Sequence, residues 1–139
     1  MATVMPVVKG ESSGNYRVLL VEDEVLIRLS LADELRRAGF AVVEASNADE
    51  ALSVLNATYD FAVVLTDIRM PGRIDGLDLA KWVRRHAPNT KVVITSANIE
   101  PGMDKEFDAA FSKPVWLPDV IAKLRQLLPR AEQASPGQL

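Results

Sequence analysis

A chain of 139 residues, 48% hydrophobic and 25% charged, is long enough to bury one core and too apolar to be a disordered segment. Its net charge of −3, with acids and bases mixed along the chain, provides no basic stripe for nucleic-acid phosphates. The absence of cysteine excludes disulfides, thiolate metal sites and cysteine nucleophiles, and the longest apolar stretch, Phe61 to Leu65, is far too short to span a bilayer; the expectation is a cytoplasmic protein.

Residues 1–15, ending in KGESSGN, and residues 130–139, RAEQASPGQL, are small and polar and read as flexible tails around one folded domain at residues 16–129. That domain opens with the apolar run RVLLV (17–21), followed by a helix from about Glu24 to Ala38 that stops at Gly39, a residue suited to a left-handed cap. The second strand, AVVEA (41–45), leads to Ser46 and Asp49, spaced as in a capping box, and then to Ala48, Ala51, Leu52 and Leu55 on one helical face. The third strand is FAVVLT (61–66), after which DIRMPGRIDG is rich in turn formers, and a third helix ends near His86. KVVIT (91–95) and the weaker AAFS (109–112) complete the strands, and Pro101-Gly102 between them limits any fourth helix to something short or irregular. In the last segment Leu117, Val120, Ile121, Leu124, Leu127 and Leu128 recur at helical spacing until Pro129 ends the pattern. Strands that are apolar at successive positions are buried on both faces, and their alternation with helices implies a doubly wound α/β sheet of five parallel strands with helices on both faces.

In open sheets of this kind ligands bind beyond the carboxyl ends of the strands, so polar residues there are the candidates. They are Glu22 and Asp23 after the first strand, Asp67 after the third, Thr95 and Ser96 after the fourth, and Lys113 after the fifth. Three carboxylates in one crevice repel unless a cation sits among them, and an all-oxygen donor set suits Mg²⁺. An oriented carboxylate can attack phosphorus to form an acyl phosphate, while Mg²⁺ and Lys113 offset charge on the transferring oxygens. Taken singly, each residue has a plainer role: Glu22 and Asp23 at a helix start, Asp67 in a turn, Ser96 as a cap, Lys113 as a solvated amine. The convergence of four strand ends carries the functional reading. His86 and the Arg84-Arg85 pair suit the end or solvated face of a helix, and Trp82, Phe107, Phe111 and Trp116 read as packing residues because no basic surface accompanies them. GRIDG has neither the lysine nor the spacing of a phosphate-binding loop.

In combination, LLVEDE, LTDIRMP with the DG that follows, ITSA and SKP resemble the receiver domains of response regulators in two-component signalling, over about Tyr16 to Leu128. The resemblance implies a flavodoxin-like fold with strand order 2-1-3-4-5. It also implies that Glu22 and Asp23 form the Mg²⁺-binding acid pair, that Asp67 is the phosphoacceptor and a metal ligand, and that Arg69 gives its backbone carbonyl to the metal. Ser96 matches the switch hydroxyl, Lys113 would contact the phosphoryl group, and the bond before Pro114 would be cis. The donor would be a phosphohistidine on a sensor histidine kinase or a histidine phosphotransfer protein, with loss of the group by hydrolysis and no activity on outside substrates. Two positions depart from the family's habit: Ala110 stands where an aromatic is usual, and Ser96 and Lys113 are only 17 positions apart.

The expected function is a phosphoacceptor module that switches a partner-binding face; the alternative is a phosphorylation-independent interaction module on the same fold, motivated by Ala110 and the short segment. A Mg²⁺-dependent phosphatase is the third possibility, opposed by the lack of a second acid two residues after Asp67. The eleven residues after Leu128 are too few for an output domain, so output is expected through another protein, unless the chain is a fragment or a phosphate sink.

Overall fold

A computed structural model describes residues 16–58 and 60–129; the expected tails at 1–15 and 130–139 lie outside the described residues. Ten elements alternate strictly: β1 (Arg17–Val21), α1 (Val25–Arg37), β2 (Ala41–Ala45), α2 (Ala48–Ala57), β3 (Val63–Asp67), α3 (Gly76–His86), β4 (Lys91–Ser96), α4 (Met103–Glu106), β5 (Ala109–Ser112) and α5 (Leu117–Leu127). The strands form one parallel sheet in the order β2-β1-β3-β4-β5, the flavodoxin-like arrangement that the resemblance implied.

Alternate residues of each central strand serve opposite faces. Leu19, Val21, Val64, Val92 and Ile94 pack with α2 and α3, whereas Val18, Leu20, Val63, Leu65 and Val93 pack with α1 and α5. Burying each such Leu, Ile or Val contributes about 1.5–3 kcal/mol, which explains why the runs are apolar at successive positions. β3 is central and buried at all five positions, so its last residue, Asp67, is held by neighbours on both sides.

Element ends follow local chemistry, and the start of α2 and the start of β3 differ from expectation. Gly39 adopts φ 103° just beyond α1, as its lack of a Cβ allows. The cap of α2 falls on Asn47, whose side chain accepts from the Glu50 N–H; Glu50 in turn reaches back to the Ser46 N–H and hydroxyl. The expected Ser46/Asp49 pairing is therefore shifted by one residue, because Asn47 is an equally good cap. β3 starts two residues later than expected, since the Phe61 carbonyl is taken by the Thr90 hydroxyl and its ring by Arg17, 4.6 Å away. The fourth helix is a single turn after Gly102 at φ 88°, short as the Pro-Gly pair required.

Candidate functional site

The carboxyl ends of β1, β3 and β5 converge. Carboxylate oxygens of Glu22, Asp23 and Asp67 lie within 4.8 Å of one another. The Lys113 ammonium enters from the far end of β5 and donates to Asp67 Oδ2 at 2.7 Å and to Glu22 Oε1 at 3.1 Å. Glu22 and Asp67 are buried (2% and 8% exposed), while Asp23 is half-buried.

Each group is positioned by its own backbone. Glu22 Oε2 accepts the Glu24 N–H at 3.1 Å, capping α1 from two residues upstream. Asp67 Oδ1 accepts the Arg69 N–H at 3.3 Å, so both of its oxygens have donors. Behind Asp67 the first turn of α3 approaches β3 so closely that only glycine fits. A Cβ on Gly76 would lie 2.0 Å from the Asp67 carbonyl oxygen, and the Gly76 N–H bonds the Ile68 carbonyl at 2.9 Å. The Asp75/Asp78 capping box starts that helix and orients its first turn. Lys113 is fixed through its main chain, whose N–H bonds the Ser96 carbonyl at 2.8 Å, and the Lys113-Pro114 bond is cis.

Electrostatically the cluster is uneven. Burial pushes the Glu22 carboxyl above its ordinary range, against the lowering by the Glu24 N–H and by Lys113, and the Asp67 charge adds to the rise. Burial alone would lower Lys113, but its hydrogen bonds to Asp67 and Glu22 outweigh that and raise it. Among the described residues Asp23 has no ion-pair or hydrogen-bond partner, and three acids share one ammonium. An all-oxygen set with two formal negative charges in excess fits a hard divalent cation such as Mg²⁺.

The other expected residues are placed as follows. Ser96 is the last residue of β4 and is buried; its hydroxyl accepts from the Asn98 N–H at 3.1 Å and bonds only locally. Thr95 is buried beside Asp67 in the ladder, its carbonyl taken by the Ile68 N–H. Arg69 is exposed. His86 is in the last turn of α3, stacked on Trp82 at 4.4 Å. Arg84 lies over the buried Phe107 ring at 5.8 Å, which gives this basic residue a packing partner. Trp116 corrects the packing expectation: it is 68% exposed, because it precedes α5 as its cap residue and projects beyond the core. Val25, Leu26 and Leu29, which are 54%, 81% and 50% exposed, are further apolar side chains left on the surface, in the first two turns of α1 just beyond Glu22-Asp23-Glu24. The sequence signal for the exposed α1 residues is the apolar VLI (25–27) after Glu22-Asp23-Glu24, where a helix start is usually polar.

No helix among the described residues is long and apolar enough to cross a membrane. Residues 18–125 match the response regulator receiver domain family. The transcriptional regulatory protein ResD of Bacillus subtilis is 32% identical over 130 residues, covering 90% of this chain and 53% of the relative. The response regulator MprA of Mycolicibacterium vanbaalenii is 32% identical over 82% of this chain and 51% of its own. The chain thus spans about half the length of the curated relatives it matches. Among solved structures, the response regulator TrrA of Thermotoga maritima in complex with Mg²⁺-BeF superposes with TM-score 0.73 at 29% identity, covering 81% of this chain and 99% of that one. The receiver domain of the hybrid histidine kinase CckA gives 0.69 at 30%, over 81% and 99%. Fold, family match and relatives agree, and the chain belongs to the response-regulator receiver domains of two-component signalling.

Proposed function

We propose that this domain accepts a phosphoryl group on Asp67 from a phosphohistidine donor and uses it to switch a partner-binding face. The observation that carries the reading is the Lys113 ammonium bridging Asp67 and Glu22 within a three-carboxylate cluster. The carboxylates of Glu22, Asp23 and Asp67 and the Arg69 carbonyl would hold Mg²⁺, which when bound offsets the charge of the phosphoryl oxygens. An Asp67 carboxylate oxygen attacks phosphorus as the donor's P–N bond breaks, and the donor histidine leaves with the electron pair. Lys113 exchanges its bond to Asp67 for one to a phosphoryl oxygen, so the charge it neutralises moves with the group. Ser96, at the neighbouring strand end, turns its hydroxyl from the Asn98 amide toward another phosphoryl oxygen. Hydrolysis by water at phosphorus restores Asp67 and releases inorganic phosphate, so the protein turns over nothing but its own acyl phosphate.

Phosphorylation adds roughly −1.5 to −2 charge and new acceptor oxygens. Ser96 and Lys113 are joined main chain to main chain, so drawing them inward biases the arrangement of the 97–108 segment and of β5. Ala110 has no rotamer to swing, so the readout is assigned to that segment. The exposed Val25, Leu26 and Leu29 at the start of α1 suit a helical donor such as a sensor kinase or phosphotransfer protein. Output passes to a partner protein in the cytoplasm, without direct contact to nucleic acid. The test is the intact mass after incubation with Mg²⁺ and a small acyl-phosphate donor, beside Asp67→Asn. One phosphoryl adduct, absent from the variant, is expected; labelling of the variant, or none of the wild type by either small or protein donors, refutes the proposal. In the last case the one-turn α4 and Ala110 favour a phosphorylation-independent interaction module.

A further inference from the structure

We infer that Arg28, one turn into α1, is a positioning residue that aims Asp23 and so sets the affinity of the acid cluster for a divalent cation; this rests on the Mg²⁺-assisted phosphoacceptor reading. The loop Glu22–Glu24 has one side-chain restraint within it, the Glu22 carboxylate on the Glu24 N–H, which leaves the Glu22–Asp23 peptide to other partners. Its helix has no side-chain cap at Glu24 and no acid in the first turn, and Asp23 lacks a partner among the described residues. Arg28 supplies the missing restraint. Its Nη1 donates to the Glu22 carbonyl oxygen at 2.9 Å, and its Nε donates to Glu44 Oε1 at 3.3 Å. The second oxygen of Glu44 takes Arg36 at 3.2 Å, so the carboxylate that holds Arg28 is itself held. On its other side the Glu22 N–H bonds the carbonyl of Ala45, the residue after Glu44.

The Glu22 main chain is thus tied to the end of β2 on both sides, its N–H directly to Ala45 and its carbonyl, through Arg28, to Glu44. Because the peptide unit is planar, fixing the Glu22 carbonyl also fixes the Asp23 nitrogen and Cα; the Glu24 N–H, bonded to Glu22 Oε2 at 3.1 Å, restrains the peptide beyond that Cα, and the two together set the direction in which the side chain leaves. Arg28 is mostly buried (16% exposed), so this clamp is not a mobile surface contact.

Charge and position predict opposite outcomes. If Arg28 acted only through its positive charge, removing it would strengthen cation binding by relieving repulsion. If it acts by position, removing it weakens binding, in the range of roughly ten- to a hundred-fold seen when outer supports of metal ligands are lost.

The test is calorimetric titration of the full chain with Mg²⁺ for wild type, Arg28→Ala, Arg28→Lys and Glu44→Gln, with amide hydrogen exchange on the same proteins without metal. Arg28→Ala is expected to weaken Mg²⁺ at least about tenfold and to speed exchange at the Glu24 amide. Arg28→Lys, retaining one donor for the Glu22 carbonyl, should recover part of both, Glu44→Gln should lose part of both, and labelling by an acyl phosphate should return toward wild type at saturating Mg²⁺. Unchanged or tighter binding by Arg28→Ala overturns the inference, as does a lower melting temperature with unchanged Mg²⁺ affinity. A wild type that neither binds Mg²⁺ nor is labelled refutes the phosphoacceptor reading instead; the role of Arg28 is then decided by exchange at Glu24, and an unchanged rate overturns it.

Discussion

Replacing Asp23 by Asn should make the metal-free protein more stable while removing its response to Mg²⁺. Asp23 faces two acids, Glu22 and Asp67, and one ammonium whose hydrogen bonds are already committed to those acids. At 4.8 Å two like charges repel by about 0.9 kcal/mol in a water-like dielectric and about 3.5 kcal/mol at an effective dielectric of 20. Two repulsions less one attraction leave about one such term, and because Asp23 is only half-buried the lower part of the range applies, about 1–2 kcal/mol. For a domain of this size that raises the melting temperature by about 3–8 °C. Thermal melts by circular dichroism in chelator and low salt measure the gain, and added NaCl should shrink it by screening. In Mg²⁺ the wild type should rise with concentration, as any ligand of the native state requires, while the variant stays flat. A variant that melts below wild type in chelator and low salt would refute the electrostatic account.

Gly76→Ala should cost about 3 kcal/mol or more despite the better helix propensity of alanine, because the new Cβ would meet the Asp67 carbonyl at 2.0 Å; urea titration checks this, and a neutral result would mean that β3 and α3 can separate. Leu26→Asp, at an 81% exposed position, should leave stability within about 0.5 kcal/mol and small-molecule phosphorylation unchanged, but slow transfer from a protein phosphohistidine donor at least about tenfold; equal rates with the protein donor would remove α1 from the docking surface. The pH dependence has a definite sign. Glu22 is raised above 4.5 chiefly by burial, so the folded state holds its proton more tightly than the unfolded chain, and stability falls as pH rises from about 4.5 through the raised value. Subtracting Glu22→Gln data from wild-type urea melts in chelator should isolate that fall; a difference that grows with pH would contradict it. Lys113 is raised above 10.5, so its contribution is intact below that value and lost as pH climbs through the raised one.

Much of this arrangement could be read from the chain before any coordinates. RVLLV, AVVEA and AAFS fall on β1, β2 and β5 because unbroken apolar runs bounded by turn formers have few alternatives in a sheet covered on both faces. The acids and Lys113 could be brought together on paper because topology alone sends the ends of parallel strands to one edge. What escaped were contacts set by side-chain reach rather than by periodicity. Asn47 displaces Ser46 as the α2 cap by a choice between two good caps one residue apart. The Arg28 bond to the Glu22 carbonyl crosses from a helix turn back to a strand end, and no spacing rule selects it. Trp116 reads as a packing residue because no basic surface accompanies it, yet a residue immediately before a helix can point away from the sheet. Gly76 looked like an ordinary turn glycine in DG, and only the separation of β3 and α3 shows why a methyl group would not fit.

The one-turn α4 has a consequence for the kind of signal the domain can send. A long helix moves as a rod and offers a partner a ready-made ridge; Met103–Glu106 is too short to be stable by itself and owes its order to Phe107, buried beneath it. A partner reading residues 97–108, as proposed, would meet a single turn and its flanking loops instead of a preformed ridge. A small contact of this sort favours quick release over affinity, which would match the proposed acyl phosphate on Asp67 and its loss by hydrolysis.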